Sequence, residues 1–537
     1  SLSIGIIPIY LLSITDTESF LQFAPNFLKN FVILSEDRND LIMYSSIIII
    51  ILFIIKNIFL YLINILIMIF FLVIREGIMY RSAKHFIYTN YSTFLKLNSA
   101  NIIRNVTGES LNTSNCLRDF ILLSKELFLV IFIVIFSSLV YPEIILPGIG
   151  IIFCLSIFFI LVTKKYLKKL GELNVKLRSN FIKTVNHIFG SFKEIKIFKN
   201  ENYMLNFFKD SLSDEITNIK KINIISTIPK YLVEIFAIGL ILFILTYFLY
   251  QDNEIKNHIP MLALFASALI KIMPSVITIN QTVSKISTTY KSVEIINNLK
   301  ILNNKENMKN NKIEEKIKFN FENSINFNNV SFKYFNDRGL VLNNLNIKIK
   351  KNHLTLITGP SGSGKSTIIE LMCGILKPTN GIIDVDGTNI NEITSNWQNN
   401  LSYMPQEIYL MDDTIRNNVI FDHYDKSVKV NLDKILKQVN LYDFVIKLPN
   451  KYEEKLGDRA SNLSGGQIKR FGLARCLAKN RSVLILDEPT AGLDIVNSQK
   501  LILLIKEISE IFTVIVVSHN SDFEKIADHV INLGKLN

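Results

Sequence analysis

Residues 47–71 read IIIIILFIIKNIFLYLINILIMIFF, an almost unbroken apolar run. It belongs to a set of apolar segments near 1–14, 41–74, 119–141, 143–163, 228–250 and 259–281, all in the N-terminal part of the chain. A helix needs about 20 apolar residues to cross a bilayer, and only helices or closed barrels satisfy their own backbone there. The pattern therefore predicts a helical transmembrane domain of six helices over 1–300. The first segment is too short to span, and the chain starts at Ser1, so it is expected to be the outer remnant of a helix. The second is too long: at about 1.5 Å per residue it reaches about 51 Å, against a hydrocarbon core of about 30 Å. It should project past the membrane.

The loops orient these helices. Residues 75–118 and 163–227 are rich in Lys and Arg, with KKYLKKL at 164–170, whereas 15–40, 141–147 and 251–258 are acidic or nearly neutral. Basic loops stay on the cytoplasmic side, which predicts two long cytoplasmic excursions and short external connections. Within 15–40, Phe20, Phe23, Phe27 and Phe31 recur at helical spacing. They predict a short amphipathic helix that either lies on the outer membrane face or packs against the outer helix ends.

Net charge is +12. Such a balance suits nucleic acid or an anionic membrane surface, and the apolar segments select the membrane. Cys116, Cys154, Cys373 and Cys476 are widely separated and form no CxxC pair, which argues against a disulfide framework or a zinc site.

The polar stretch 301–323 reads as a linker, and the pattern then changes. Over 324–537 short β-rich runs (INFNNVSFKYF, LTLITG, SVLILDE, FTVIVVSH) alternate with helical stretches, the signature of an α/β domain with a largely parallel sheet. GPSGSGKST at 359–367 follows the strand LTLIT and precedes the apolar IIELMCGIL. Strand, glycine loop and helix is the context a P-loop requires. Gly359, Gly362 and Gly364 let main-chain N–H groups approach phosphate at a helix N-terminus, and Gly359, Pro360, Ser361, Gly362, Ser363, Gly364 and Thr367 are expected to form the ATP-binding loop with Lys365 and Ser366. Lys365 is expected at the β/γ-phosphates and the Ser366 hydroxyl on Mg²⁺. SVLILDEPT at 482–490 ends a buried strand in two carboxylates. Asp487 suits the Mg²⁺ shell, and Glu488 suits polarisation of an attacking water.

NLSGGQIKR at 462–470 resembles the signature of ABC ATPases, again a glycine-rich turn at a helix N-terminus. The organisation of the whole chain resembles ABC exporter half-transporters: membrane helices followed by one P-loop ATPase domain. The resemblance implies ATP and Mg²⁺ as cofactors. It also implies that Ser464, Gly465, Gly466 and Gln467 act on the nucleotide held by the opposite subunit. Tyr334 in VSFKY resembles the aromatic that stacks on adenine. Gln406 in YMPQEIYL resembles the loop glutamine that touches Mg²⁺, AGLD at 491–494 resembles the D-loop, and His519 in VVSHN resembles the switch histidine near the γ-phosphate. Ala491 stands where the family often has Ser, SHN replaces the commoner AHR, and LGDRA at 456–460 is an altered form of a stretch that contacts the membrane domain. None of these changes removes a catalytic group. With every hydrolytic residue on one chain, a homodimer with two competent sites is expected, or else pairing with a different half-transporter.

The membrane half is similar to one subgroup through NVTGE at 105–109, IPKYLVE at 228–234 and ALIKIMPS at 268–275. These resemble the bacterial flippases for lipid-linked oligosaccharides of protein N-glycosylation. The resemblance implies that a polyprenyl-diphosphate glycan is moved from the cytoplasmic to the outer leaflet of the bacterial inner membrane, with the ATPase domain in the cytoplasm. A peptide, bacteriocin, lipid or drug exporter would share every ATPase motif. A soluble ABC ATPase acting on nucleic acid or the ribosome would lack the apolar segments. Three cations bear on the cargo. Lys56 lies about 22 Å in from an outer helix end near residue 41 and Lys271 about 18 Å in from residue 259, while Lys230 stands at the cytoplasmic entrance of its helix. A charge at such depth usually faces a cavity or a partner. Lys56, Lys230 and Lys271 are the candidate contacts to the diphosphate, and the competing reading is snorkelling to the inner headgroups.

Overall fold

The computed structural model describes residues 38–138, 142–251, 259–310, 319–334, 339–421, 430–457 and 463–535. The chain separates into two compact units. One comprises residues up to Thr89 with Lys96–Lys309, the other Asn90–Leu95 with Asn310–Asn537.

The first unit is helical. Its long helices are α1 (Arg38–Ile87), α3 (Ser110–Ser138), α4 (Pro142–Gly190), α5 (Glu201–Gln251) and α6 (Ile259–Asn310); the four-residue α2 (Tyr91–Phe94) belongs to the other unit. They cover the second to sixth apolar segments. The first segment and the Phe20–Phe31 stripe lie outside the described residues. Six spanning helices were expected, but among the described residues three are long and apolar enough to cross a membrane, in α1, α4 and α5. The other two also carry polar residues: Asp119, Lys125 and Glu126 in α3, and Lys271, Asn280 and Thr282 in α6. α1 has 50 residues, so it does extend beyond a single crossing. Helix α6 continues to Asn310, into the stretch expected as linker.

The helices pack through one apolar cluster that includes Ile133 of α3, Ile152 of α4, Val233 of α5 and Leu269 and Ile272 of α6. α4 and α6 approach backbone to backbone, since a Cβ on Gly171 would stand 2.1 Å from the Thr288 carbonyl oxygen. Polar contacts fix register: Asn218 Nδ2 donates to the Leu170 carbonyl at 3.1 Å, and Arg178 pairs with Glu215 at 2.9 Å. NVTGE lies in a π-helical turn, Arg104–Glu109, in which the partly buried Arg104 and the buried Glu109 approach to 3.3 Å. Phe59 and Leu66 of α1 remain exposed, as a lipid-facing surface requires.

The second unit holds two sheets. β1 (Ser324–Phe332), β2 (Leu342–Lys350), β4 (Asn380–Val385) and β5 (Thr388–Asn389) form an antiparallel sheet in the order β2-β1-β4-β5. β3 (Leu354–Thr358), β6 (Leu401–Met404), β7 (Val483–Asp487), β8 (Thr513–Val517) and β9 (His529–Asn532) form a parallel sheet in the order β6-β7-β8-β3-β9. Its inner strands read as continuous apolar runs because both faces are covered. Alternation along each strand divides them. Leu356, Leu484, Leu486, Val514 and Val516 enter one core, while Ile357, Val483, Ile485, Ile515 and Val517 enter the other. Three helices frame the strand ends: α7 (Lys365–Met372), α8 (Gly465–Ala478) and α9 (Ile495–Ser509).

Candidate active site

In an open parallel sheet, ligands bind beyond the carboxyl ends of the strands. The chain places its motifs there. GPSGSGKST follows β3, Asp487 ends β7, His519 follows β8 and Gln406 follows β6. Gly364 caps α7 in a left-handed conformation at φ +91, and a Cβ there would stand 2.7 Å from Leu342 Cδ2. Only glycine meets both demands, and it aims the first turn of α7 at the strand ends.

Lys365 links the P-loop to the histidine. Its Nζ donates to the Gly359 carbonyl at 2.9 Å, the Pro360 carbonyl at 3.1 Å and His519 Nε2 at 2.8 Å. Burial lowers its pKa, opposed by the nearby Glu488 and Asp487 charges. His519 Nε2 also lies 3.6 Å from Glu488 Oε1, and Ser518 Oγ donates to Glu488 Oε2 at 3.3 Å. Glu488 is largely buried while half of the His519 side chain is exposed. Lys365, Glu488 and His519, drawn from three separated motifs, thus form one cluster. Beside it, Glu488, Ser518, His519 and the AGLD turn line an open cleft of about 460 Å³.

Asp487 is buried, and Tyr403 OH donates to its Oδ2 at 3.4 Å. Burial and then the Glu488 charge raise its pKa above the ordinary carboxylate range. Two adjacent, poorly solvated carboxylates are the electrostatic setting that a divalent cation relieves. A carboxylate (Asp487), a hydroxyl (Ser366) and an amide (Gln406) form an all-oxygen set suited to Mg²⁺, with phosphate oxygens and water filling the other positions. The donor chemistry fits the ion. The Gln406 side chain is exposed, and its main-chain carbonyl accepts a bond from Lys469 Nζ at 2.7 Å.

Tyr334 lies beside the P-loop helix. Its hydroxyl donates to Glu370 Oε2 at 2.7 Å and lies 3.1 Å from Thr367 Oγ1, and its ring meets Phe332 edge to face. Burial, chiefly, pushes its pKa up to about 12. Glu370 accepts a second bond at 3.2 Å, from Tyr91 OH on α2. Ser464 caps α8 in a reciprocal box: its Oγ accepts from Gln467 N at 3.3 Å and its N–H donates to Gln467 Oε1 at 2.8 Å. Gly465 and Gly466 open the first turn of α8, where a Cβ on Gly465 would stand 3.8 Å from the Gly492 carbonyl oxygen of the AGLD turn. The Lys56, Lys230 and Lys271 side chains are joined to one another by no hydrogen bond or ion pair among the described residues. Lys56 sits over the Phe53 ring at 4.6 Å and Lys230 over Tyr231 at 5.7 Å, while Lys271 is exposed on α6.

Sequence reasoning missed Ser518, Tyr403, Glu370 and Lys469. Ser518 directly precedes the histidine in VVSHN and was within reach of a motif reading. The others touch the site through bonds that no spacing advertises.

Comparisons with known proteins bear on the domain and the fold. Residues 342–491 match the family model described as ABC transporter. The heterocyst differentiation ATP-binding protein HepA of Nostoc sp. is 33% identical over 50% of this chain and 43% of its own length. An ATP-dependent lipid A-core flippase of Haemophilus influenzae is 34% identical over 39% of this chain and 36% of its own. The chain thus spans under half the length of the curated relatives it matches. A solved structure of a bacterial Atm1-family ABC exporter with ATP bound is similar at a TM-score of 0.76 and 18% identity, covering 99% of this chain and 93% of that one. The chain carries an ABC transporter domain over residues 342–491 and has the fold of an ABC exporter.

Proposed function

We propose that the protein is an ATP-driven membrane exporter of the flippase type, working as a dimer of half-transporters with its ATPase domain in the cytoplasm. The observation that carries this reading is the meeting of Lys365, Glu488 and His519 at the carboxyl ends of β3, β7 and β8. Lys365 leaves the Gly359 and Pro360 carbonyls for the β/γ-phosphates of ATP. Glu488 takes the proton of the attacking water, held in place by Ser518. His519, bonded to Lys365, lies on the γ-phosphate side and steadies charge there. Ser366, Asp487 and Gln406 would hold Mg²⁺, which would supply neutralisation of the charge on the transferring phosphoryl group. Ser464, Gly465, Gly466 and Gln467 close over the nucleotide of the opposite subunit, so turnover needs two chains. A homodimer suffices, because no hydrolytic residue is missing.

The cargo in this proposal is an anionic amphipathic lipid, a polyprenyl-diphosphate-linked oligosaccharide or a close relative. Lys56 and Lys271, set deep within apolar helices, and Lys230 at the cytoplasmic side supply compact positive charge suited to a diphosphate. The similarity to an ATP-dependent lipid A-core flippase supports a lipid as the class of cargo. The membrane is the bacterial inner membrane. The test is reconstitution into proteoliposomes with a fluorescent polyprenyl-diphosphate glycan. ATP-driven flipping should occur and should be lost in the Lys56→Ala/Lys271→Ala double variant while ATP hydrolysis persists. Unchanged flipping in that variant, or transport of a peptide instead, overturns the cargo assignment.

A further inference from the structure

Glu488 adopts φ +46. A non-glycine residue takes this left-handed conformation only when its surroundings enforce it. Its N–H donates to the Val517 carbonyl at 2.8 Å, and its carbonyl accepts from Ala491 N at 3.2 Å. The third restraint comes from α8: Lys469 Nζ donates to the same Glu488 carbonyl at 3.1 Å and to the Gln406 carbonyl at 2.7 Å. One ammonium therefore joins the main chain of the hydrolytic glutamate to that of the loop glutamine. Lys469 is only 8% exposed. Burying an ammonium is costly unless its donors are used, and here two donors end on carbonyls.

The rest of α8 keeps this ammonium in place. Lys469, Gly472 and Arg475 recur every three residues and so share one face. That face meets the segment 404–409. A Cβ on Gly472 would stand 2.4 Å from Ile408 Cδ1, and Arg475 Nη1 donates to the Tyr409 carbonyl at 3.2 Å. The helix is thus seated along the glutamine loop, and Lys469 reaches across it to Glu488.

We propose that Lys469 is a positioning residue for hydrolysis, which holds the main chains of Glu488 and Gln406 in the arrangement that directs the glutamate at the attacking water. The inference rests on the ATPase reading above. Lys469 acts through the main chain it holds. Lys469→Met keeps the stem and removes the donors, whereas Lys469→Arg keeps donors at similar reach.

The test uses the full chain reconstituted in liposomes. Three quantities are measured: ATP turnover, KM, and binding of a non-hydrolysable ATP analogue. In Lys469→Met, kcat should fall at least about tenfold while KM and analogue affinity change less than about twofold, because only the transition state is affected. Lys469→Arg should recover most of the turnover. Wild-type turnover in Lys469→Met overturns the proposal. So does a joint loss of turnover and analogue binding, which marks a packing role, and so does failure of Arg to rescue. If Lys469→Met does not accumulate folded, Lys469→Gln carries the same comparison; misfolding of both also overturns the proposal in favour of packing. Absence of hydrolysis in the wild-type chain would instead remove the function proposed above, so the two failures are distinct.

Discussion

Gly381 and Gly387 offer a matched pair in which backbone strain and steric contact separate. Both are left-handed, at φ +80 and +82. Gly381 opposes a β-bulge in β1, where the register shifts between Asn328 and Ser331. A Cβ there would lie 2.3 Å from the Asn329 carbonyl oxygen and 2.6 Å from that of Asn328, whereas a Cβ at Gly387 meets nothing within 4 Å. Alanine in this conformation costs about 1 kcal/mol at either position. At Gly381 the two strands must also part by about 1 Å to restore an ordinary contact, an overpacking strain of about 1–3 kcal/mol. Gly387→Ala should therefore lose about 1 kcal/mol and Gly381→Ala about 3 kcal/mol, a large share of a typical domain stability of about 5–15 kcal/mol. The reporter is built in. Trp397 is the single tryptophan, fully buried in the ATPase unit, with Nε1 donating to the Met372 carbonyl at 2.7 Å. Urea titration of the full chain in detergent, followed by Trp397 emission, reads this unit alone. Equal midpoints for the two alanine variants would refute the steric argument. The result bears on function because β1 leads directly into Tyr334.

Two further outcomes follow from the same geometry. Gly171→Ala inserts a Cβ 2.1 Å from the Thr288 carbonyl oxygen, so α4 and α6 must separate; thermal melting of the helical unit, followed by far-UV circular dichroism, should drop, and an unchanged melt would contradict the close approach. Asp528 accepts from the Leu354 N–H and pairs with Lys506 at 3.2 Å, which lowers its pKa, the Leu354 bond contributing most. A depressed carboxylate stabilises above its unfolded pKa of about 3.9, and that contribution fades as pH falls through the lower folded value. Asp528→Asn should therefore shift the Trp397 urea midpoint down at neutral pH, and the gap should close in acid; a constant gap would refute the assignment.

The hydrolytic centre is legible in the sequence where its chemistry is contiguous. GPSGSGKST needs neighbours in sequence because one loop must wrap a phosphate, and SVLILDE places both carboxylates at one strand end. Lys469 is invisible to such reading because its partners are main-chain carbonyls, which every residue carries. Tyr91 is equally hidden: its bond to Glu370 spans 279 positions, and only folding brings α2 to the P-loop helix. Apolar runs mark where the long helices lie, while their polar insertions, such as Asp119 in α3 and Lys271 in α6, say nothing by themselves of what those side chains meet. The environment of Lys56 also escapes the pattern, which gives its depth and not its neighbour, the Phe53 ring.

The central claim is that this chain hydrolyses ATP at the cluster of Lys365, Glu488 and His519, and it is tested most directly by Mg²⁺-dependent phosphate release from the reconstituted chain, wild type against Glu488→Gln. The account predicts steady ATP turnover in the wild type that requires Mg²⁺. In Glu488→Gln, loss of the general base should lower turnover at least about a hundredfold while ATP is still bound, trapping a nucleotide-loaded dimer. A wild-type chain that binds no ATP, or a Glu488→Gln variant that releases phosphate at the wild-type rate, would contradict it.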